Sequence, residues 1–595
     1  MFATLTSRPA LVATTALVAV GLVALVPVLR EGPQLPGLTV SETEVVAADE
    51  DRTDDPVAAS PEPLVEPAIL ADQAAPATGR SRTAAPEARL QAVPASPKIA
   101  REAAESYVAG DMTLAQPAPP PNDIVVRQEA DTEAFAGADP NPVKIVAEDP
   151  VSTFSIDVDT ASYAVVRSSL MNGYLPPAEA VRIEEMVNYF PYDYPLPAAG
   201  EAPFRPTVTV APTPWNADTR LMHVALQGRM PAIDDRPALN LVFLIDTSGS
   251  MDQPNKLPLL KQSFRLMLGQ LRPDDQVAIV TYAGSAGRVI DATPAGDRAA
   301  ILSALDRLDA GGSTAGQAGL QQAYATAEEM AEEGEVTRVI LATDGDFNVG
   351  IHDPEELEDF IATKRDSGVY LSVLGFGRGN LDDATMQALA QNGNGQAAYI
   401  DTLSEAQKVL VDQLTGALFP IANDVKIQVE FNPASVAEYR LIGYETRSLR
   451  REDFNNDLVD AGDIGAGHSV TAIYEVTPVG SPAVLNDPLR YAPATADRAP
   501  GDELAYLRLR YKEPGESDSR LIELPITPDM GDPDDETRFA AAIAGFGQLL
   551  QGSTYLGSWS YADAIGLAEA SGGQDPFGYR REAVTLMRLA QSLSQ

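Results

Sequence analysis

Across residues 241–418 the chain alternates short, continuously apolar runs with longer segments whose apolar residues recur every three or four positions. Few folds accept that alternation. Residues 241–245 (LVFLI), 276–282, 336–343 (VTRVILAT), 369–376 and 397–400 read as buried strands. Residues 256–271 place Leu257, Leu260, Phe264, Met267, Leu268 and Leu271 on one helical face, and further helices are expected over 315–331, 382–391 and 404–418. Asp353-Pro354-Glu355-Glu356 reads as another helix start. Strands apolar on both sides need helices over both faces, so the pattern predicts a doubly wound α/β sheet. Such sheets place ligands at the carboxyl ends of their strands.

The loops at those ends narrow the chemistry. Asp246-Thr247-Ser248-Gly249-Ser250 follows the first strand, Gly311-Gly312-Ser313-Thr314 lies between helical stretches, and Thr343-Asp344-Gly345-Asp346 follows VTRVILAT. The chain has no cysteine, which excludes disulfides, thiolate zinc sites, iron–sulfur clusters and cysteine nucleophiles. Its histidines, His223, His352 and His468, are too scattered for a histidine zinc motif. With 85 acidic against 43 basic residues, a formal charge of −42, the chain repels phosphate backbones, and nucleic acid is excluded as the main partner. Carboxylates and hydroxyls remain, the donors a hard divalent cation takes. Two enzyme readings compete. Asp246-Thr247-Ser248 matches the aspartic-protease triplet, but that chemistry needs a second copy, which is missing, and an all-β fold. A metal-dependent hydrolase would need a base, for which His352 is the candidate.

The constellation D-x-S-x-S, then Thr, then Asp resembles the metal-ion-dependent adhesion site of von Willebrand factor type A domains. The resemblance carries over to Asp246, Ser248, Ser250, Thr314 and Asp344, with Thr314 68 and Asp344 98 positions beyond Asp246. It implies a bound divalent cation, Mg2+ first, with Mn2+ or Ca2+ as alternatives. Three neutral hydroxyls and one or two carboxylates leave such an ion short of a full shell, for which an acidic residue of a protein partner is the natural sixth ligand, so a binding module and no catalysis is expected. The segments TFSIDVDTASYAVVRSSLMNGYLPP and RIEEMVNYFPYDYP before this domain, and VKIQVEFNPASVAEYRLIGYE with AGDIGAGHSVTAIYE after it, resemble the flanking regions of the YfbK-like family of exported bacterial proteins. Some members carry a lipobox cysteine; this chain does not, so a lipid anchor is not implied. The function expected is a metal-dependent adhesion or assembly-scaffold module. A hydrolase using the same site, or an envelope chaperone, are the alternatives.

The rest of the chain is expected to display that module. Residues 9–29 carry no charge, long enough to span a bilayer, so residues 1–30 read as a signal anchor or signal peptide. The protein is expected to be exported, anchored in the cytoplasmic membrane and facing the periplasm or exterior. Residues 31–150 hold 17 of the 47 prolines but only two aromatics, Tyr107 and Phe135, and read as a disordered tether. A strand-bearing segment is expected over 151–235, the type A domain over 236–420, and a β-rich region ending in helices over 421–595. Strands at 204–210 and 221–228 are too few to bury a face alone. They are expected to pair with strands at 425–431, 439–444, 469–476, 504–511 and 521–525 in a β-sandwich into which the doubly wound, Rossmann-like domain is inserted. Asp157-Val158-Asp159-Thr160 misses the D-x-D-x-T phosphatase pattern, and Asp159 reads as a helix cap. Asp453-x-Asn455-x-Asp457 starts like a calcium loop, but Leu458 stands where the turn needs Gly.

Overall fold

A β-sandwich opens the ordered chain, is interrupted by an α/β domain, and is completed afterwards. The computed structural model describes Glu133, Phe135 and residues 137–198, 200–230, 236–312, 316–345, 354–379, 381–413, 416, 418–487 and 502–595, all within one unit, Pro119–Gln595. The uncharged run 9–29 and most of the tether lie outside the described residues. Among the described residues no helix is long and apolar enough to cross a membrane. Strands β1 (Lys144–Ile145) and β2 (Val151–Ser155) come first. Helices α1 (Ala161–Met171) and α2 (Ile183–Asn188) and the hairpin β3 (Phe204–Thr213) and β4 (Asn216–Gly228) follow.

The inserted domain carries β5 (Leu239–Asp246), α3 (Leu257–Leu268), β6 (Gln276–Tyr282), β7 (Ala286–Pro294), α4 (Arg298–Asp306) and α5 (Gly316–Met330). It continues with β8 (Val336–Thr343), α6 (Pro354–Asp366), β9 (Val369–Phe376), α7 (Asp383–Asn392), β10 (Ala397–Ile400) and α8 (Leu403–Gln407). Its sheet runs β10-β9-β8-β5-β6-β7, parallel except for β7. The central strand β5 is buried along its whole length. Its side chains alternate between two cores: Leu241, Phe243 and Ile245 meet Leu260 and Phe264, while Val242 and Leu244 meet Leu320 and Tyr324.

After this domain come β11 (Pro420–Phe431), β12 (Val436–Ile442), β13 (Ile464–Gly465), β14 (Ser469–Pro478), β15 (Ala505–Lys512) and β16 (Arg520–Ile526). Helices α9 (Asp535–Gln551), α10 (Tyr561–Ala570) and α11 (Tyr579–Leu593) end the chain. One sheet of the sandwich is β1-β12-β14-β4-β3; the other is β13-β11-β15-β16, with β2 also on β11. The expected pairing across the insertion is present: β4 and β14 run antiparallel from Gln227 opposite Ser469 to Arg220 opposite Val476.

Four details differ from the sequence reading. Order begins before Val151, because Lys144 and Ile145 pair with Tyr439 and Glu438 and Val146 is buried. Asp159 is not a cap: its Oδ1 accepts from the Ala397 N–H at 2.8 Å and its Oδ2 from Arg447 at 3.0 Å, and a buried arginine competes better than a helix end. Arg447 holds Asp157 as well, so both acids of the D-x-D near-match are structural. The helix expected over 404–418 stops at Gln407 and continues as a wider π turn over Lys408–Asp412. Strand β7, half-exposed at the sheet edge, has no continuous apolar run and was not expected.

Buried ion pairs fasten the inserted domain to the flanking helices. Arg167 of α1 meets Asp401 and Glu405, and Arg182, just before α2, joins Glu185 to Asp383 of α7. Removing one partner of such a pair leaves a buried charge uncompensated, at a cost of about 3–5 kcal/mol. Asp383→Ala is therefore expected to lower unfolding stability by that amount in a urea titration. A loss under about 1 kcal/mol would show that the pair behaves as an exposed one.

Candidate metal centre

Because β5, β6, β8 and β9 are parallel, their carboxyl ends share one edge of the sheet. Asp246 ends β5, Tyr282 ends β6, and Asp344 follows the end of β8. Asp246 is fully buried; its Oδ1 accepts the Ser248 N–H at 2.8 Å, closing a tight turn, and Thr343 Oγ1 lies 3.5 Å from its Oδ2. The turn brings the Ser248 and Ser250 hydroxyls within 3.0 Å of each other. Met251, wholly buried in the core beneath, pins the loop down.

The second loop is tied to the first through its backbone. Gly311 N–H donates to Thr247 O at 2.8 Å and Gly249 N–H to Gly312 O at 3.1 Å. Gly312 has φ +97°, and a Cβ there would stand 3.0 Å from Gly284 N, so the close approach requires glycine. Thr314, two residues on, lies outside the described residues, as do Asp346 and His352. The structure thus brings Asp246, Ser248, Ser250 and Asp344 to one edge.

Sequence reasoning missed Lys256. Its ammonium donates to Asp344 Oδ2 at 2.9 Å, and both side chains are buried. The lysine stem passes over Gly377, where an added Cβ would stand 2.5 Å from Lys256 Cε. A signal existed: Lys256, Leu260, Phe264 and Met267 share one helical stripe, so the lysine faces inward. One residue past Gly377, Arg378 grips the Glu133 carboxylate, and the Gly379 N–H donates to Glu133 Oε1 at 2.9 Å. The end of the expected tether is therefore seated beside the same edge.

The donor chemistry fits a hard divalent cation. Among the described residues Asp246 has no cationic partner, and burial pushes its carboxyl up to about 6, with the nearby Asp344 adding to the rise. No three carboxylate or imidazole groups that could hold an ion converge among the described residues, so a cation at this edge would draw on hydroxyls for its other protein oxygens. His223 and His468 lie elsewhere; burial lowers each to about 4.

Comparison with known proteins follows the same division. Residues 240–413 match the family described as von Willebrand factor type A domain, residues 129–223 that described as von Willebrand factor, and residues 416–593 that described as the C-terminal part of the uncharacterized protein YfbK. The chain is 47% identical over 473 residues to the uncharacterized protein YfbK of Escherichia coli (strain K12), covering 78% of this chain and 82% of that one. It is 30% identical over 179 residues to the inter-alpha-trypsin inhibitor heavy chain H4 of Sus scrofa, covering 29% of this chain and 19% of that one. A solved von Willebrand factor type A structure from Catenulispora acidiphila aligns over 65% of this chain and 91% of its own, at 18% identity and a TM-score of 0.38.

The raised Asp246 carboxyl makes a signed prediction for metal-free protein. A carboxyl whose folded value lies above its unfolded value of about 3.9 costs stability as pH rises through the folded value, here about 6. Asp246→Asn is expected to stabilise the chelated protein above pH 7 by on the order of 2–3 kcal/mol and to lose that advantage near pH 4. Thermal melts of both proteins across that range check it; equal melting at every pH would refute it.

Proposed function

The chain belongs to the family of the Escherichia coli protein YfbK, built around a von Willebrand factor type A domain, and from that premise we propose that it is a metal-ion-dependent protein-binding module. Domains of this type generally serve as metal-dependent protein-interaction modules. What supports the reading here is the buried Asp246 carboxylate, without a cationic partner among the described residues, facing a loop of hydroxyls at the open edge of the sheet.

Asp246, Ser248, Ser250, Thr314 and Asp344 would hold the ion, with Mg2+ preferred and Mn2+ or Ca2+ as substitutes. When bound, the ion supplies a Lewis-acidic position that a carboxylate of a partner protein can fill. Asp246 fixes the first loop through the Ser248 N–H, so the hydroxyls are already turned together before anything binds. The backbone ties from Gly249 and Gly311 hold Gly311 and Gly312 against the first loop. For the first loop little ordering is left for binding to supply, which favours affinity. We place the module outside the cytoplasmic membrane, held by residues 9–29 and spaced from it by the proline-rich tether, as an adhesion or assembly scaffold.

Two measurements test this. Calorimetric titration of the protein with Mn2+ should show one site, and Ser248→Ala or Thr314→Ala should weaken it by about tenfold or more while leaving the thermal melt of the chelated protein nearly unchanged. Capture of any partner from envelope extracts should be lost on chelation; capture indifferent to chelator would remove the metal from the mechanism. For the anchor, the full-length protein should stay with membranes through alkaline carbonate washing. A mature N-terminus beyond residue 30 would replace the anchor with a cleaved signal.

A further inference from the structure

Lys256 stands in an unusual place for a lysine. It is 2% exposed, its stem threads past Gly377 where no side chain would fit, and its ammonium rests on Asp344 Oδ2 at 2.9 Å. Ordering a long cation inside the protein is costly, and it is sustained here by a carboxylate that is itself one of the five expected ligands. The lysine is thus a fixed positive charge paired with one of the expected ligands of the metal centre.

Its effect follows from counting charges. Among the described residues of the edge, Asp246 and Asp344 contribute −2 and Lys256 +1, with the hydroxyls neutral. A divalent ion would leave these groups at +1, whereas without the lysine they would sum to zero. A resident cation repels the incoming ion, and the same charge strengthens the pull on an anionic ligand that completes the shell. That local surplus matters in this chain, because its formal charge of −42 opposes the approach of any acidic partner.

We propose that Lys256 is a specificity-determining residue that trades metal affinity for carboxylate affinity, keeping the loaded centre one charge positive so that it captures an acidic side chain. This rests on the reading of the edge as a metal centre, and it adds a requirement that reading does not make. A lysine that served only to steady Asp344 would, when removed, weaken both kinds of binding or neither.

The test uses the full chain, with Mn2+ alone as the first probe and acetate as the second. Mn2+ affinity is taken from calorimetry, and acetate binding to the Mn2+-loaded protein from the loss of water-proton relaxation as acetate displaces metal-bound water. Lys256→Met removes the charge and keeps the stem; Lys256→Gln removes the charge and keeps a donor for Asp344, and serves if the first variant folds poorly. Either variant is expected to bind Mn2+ about tenfold or more tightly, and acetate about tenfold or more weakly, than the wild type. Lys256→Arg, which keeps the charge, should show neither change. A wild type that binds Mn2+ while the uncharged variants match it, or shift both affinities in one direction, overturns this inference and leaves the metal centre standing. A wild type that takes up no Mn2+ overturns both.

Discussion

The antiparallel seam between β4 and β14 holds the architecture together. It runs from Gln227 opposite Ser469 to Arg220 opposite Val476, with the whole type A domain lying in the chain between its two sides. Because of it, residues before and after the insertion share one core, in which Val224 and Leu226 from the first half meet Val470 and Tyr474 from the second. Entry and exit of the inserted domain are held close: the Gly228 N–H donates to His468 O at 2.8 Å, and a Cβ on Gly228 would stand 2.8 Å from Gly465 O. With that end tied down and α1 packed on one face of the sheet, the opposite, carboxyl edge is left to present the loops.

Buried charge is met in more than one way. In the scaffold, arginines are matched to carboxylates: Arg167 to Asp401 and Glu405, Arg182 to Glu185 and Asp383, Arg447 to Asp157 and Asp159. Such pairs add little net stability against a well-packed apolar substitute, but they penalise wrong docking heavily and so fix how the helices sit on the inserted domain. Asp246 differs, being equally buried but held by a backbone N–H and a threonine hydroxyl. Glu184 of α2 is likewise buried without an ion-pair partner among the described residues, and burial pushes it up to about 7, so what sets Asp246 apart is the turn of hydroxyls beside it.

What the sequence made legible was whatever is local. The run LVFLI is apolar on both faces, so it could only be a central strand, and the acid at its end had to sit at the carboxyl edge. The D-x-S-x-S spacing likewise encodes a turn that folds on itself through Asp246 and Ser248. Illegible were features whose reason lies far along the chain. Asp159 reads as a cap from its neighbours, yet its partners are Ala397 and Arg447. Strand β7 has half-exposed residues at an edge and carries neither a clean alternation nor an apolar run. Lys256 lies in line with the buried stripe of α3, but the carboxylate that accounts for it, Asp344, stands 88 positions on. Thr314, expected as a ligand from its spacing, lies outside the described residues.

The split sandwich also orders events in time. As the chain is made from its amino end, β3 and β4 form a hairpin whose free edge must wait for β14, while β2 must wait for β11. The type A domain, with most of its strand pairs formed between neighbours in the chain, is complete in the interval and can fold while both edges are still open. Such edges invite pairing with other chains. Molecules cut short before Ser469 would therefore combine a finished site with an unfinished and adhesive support.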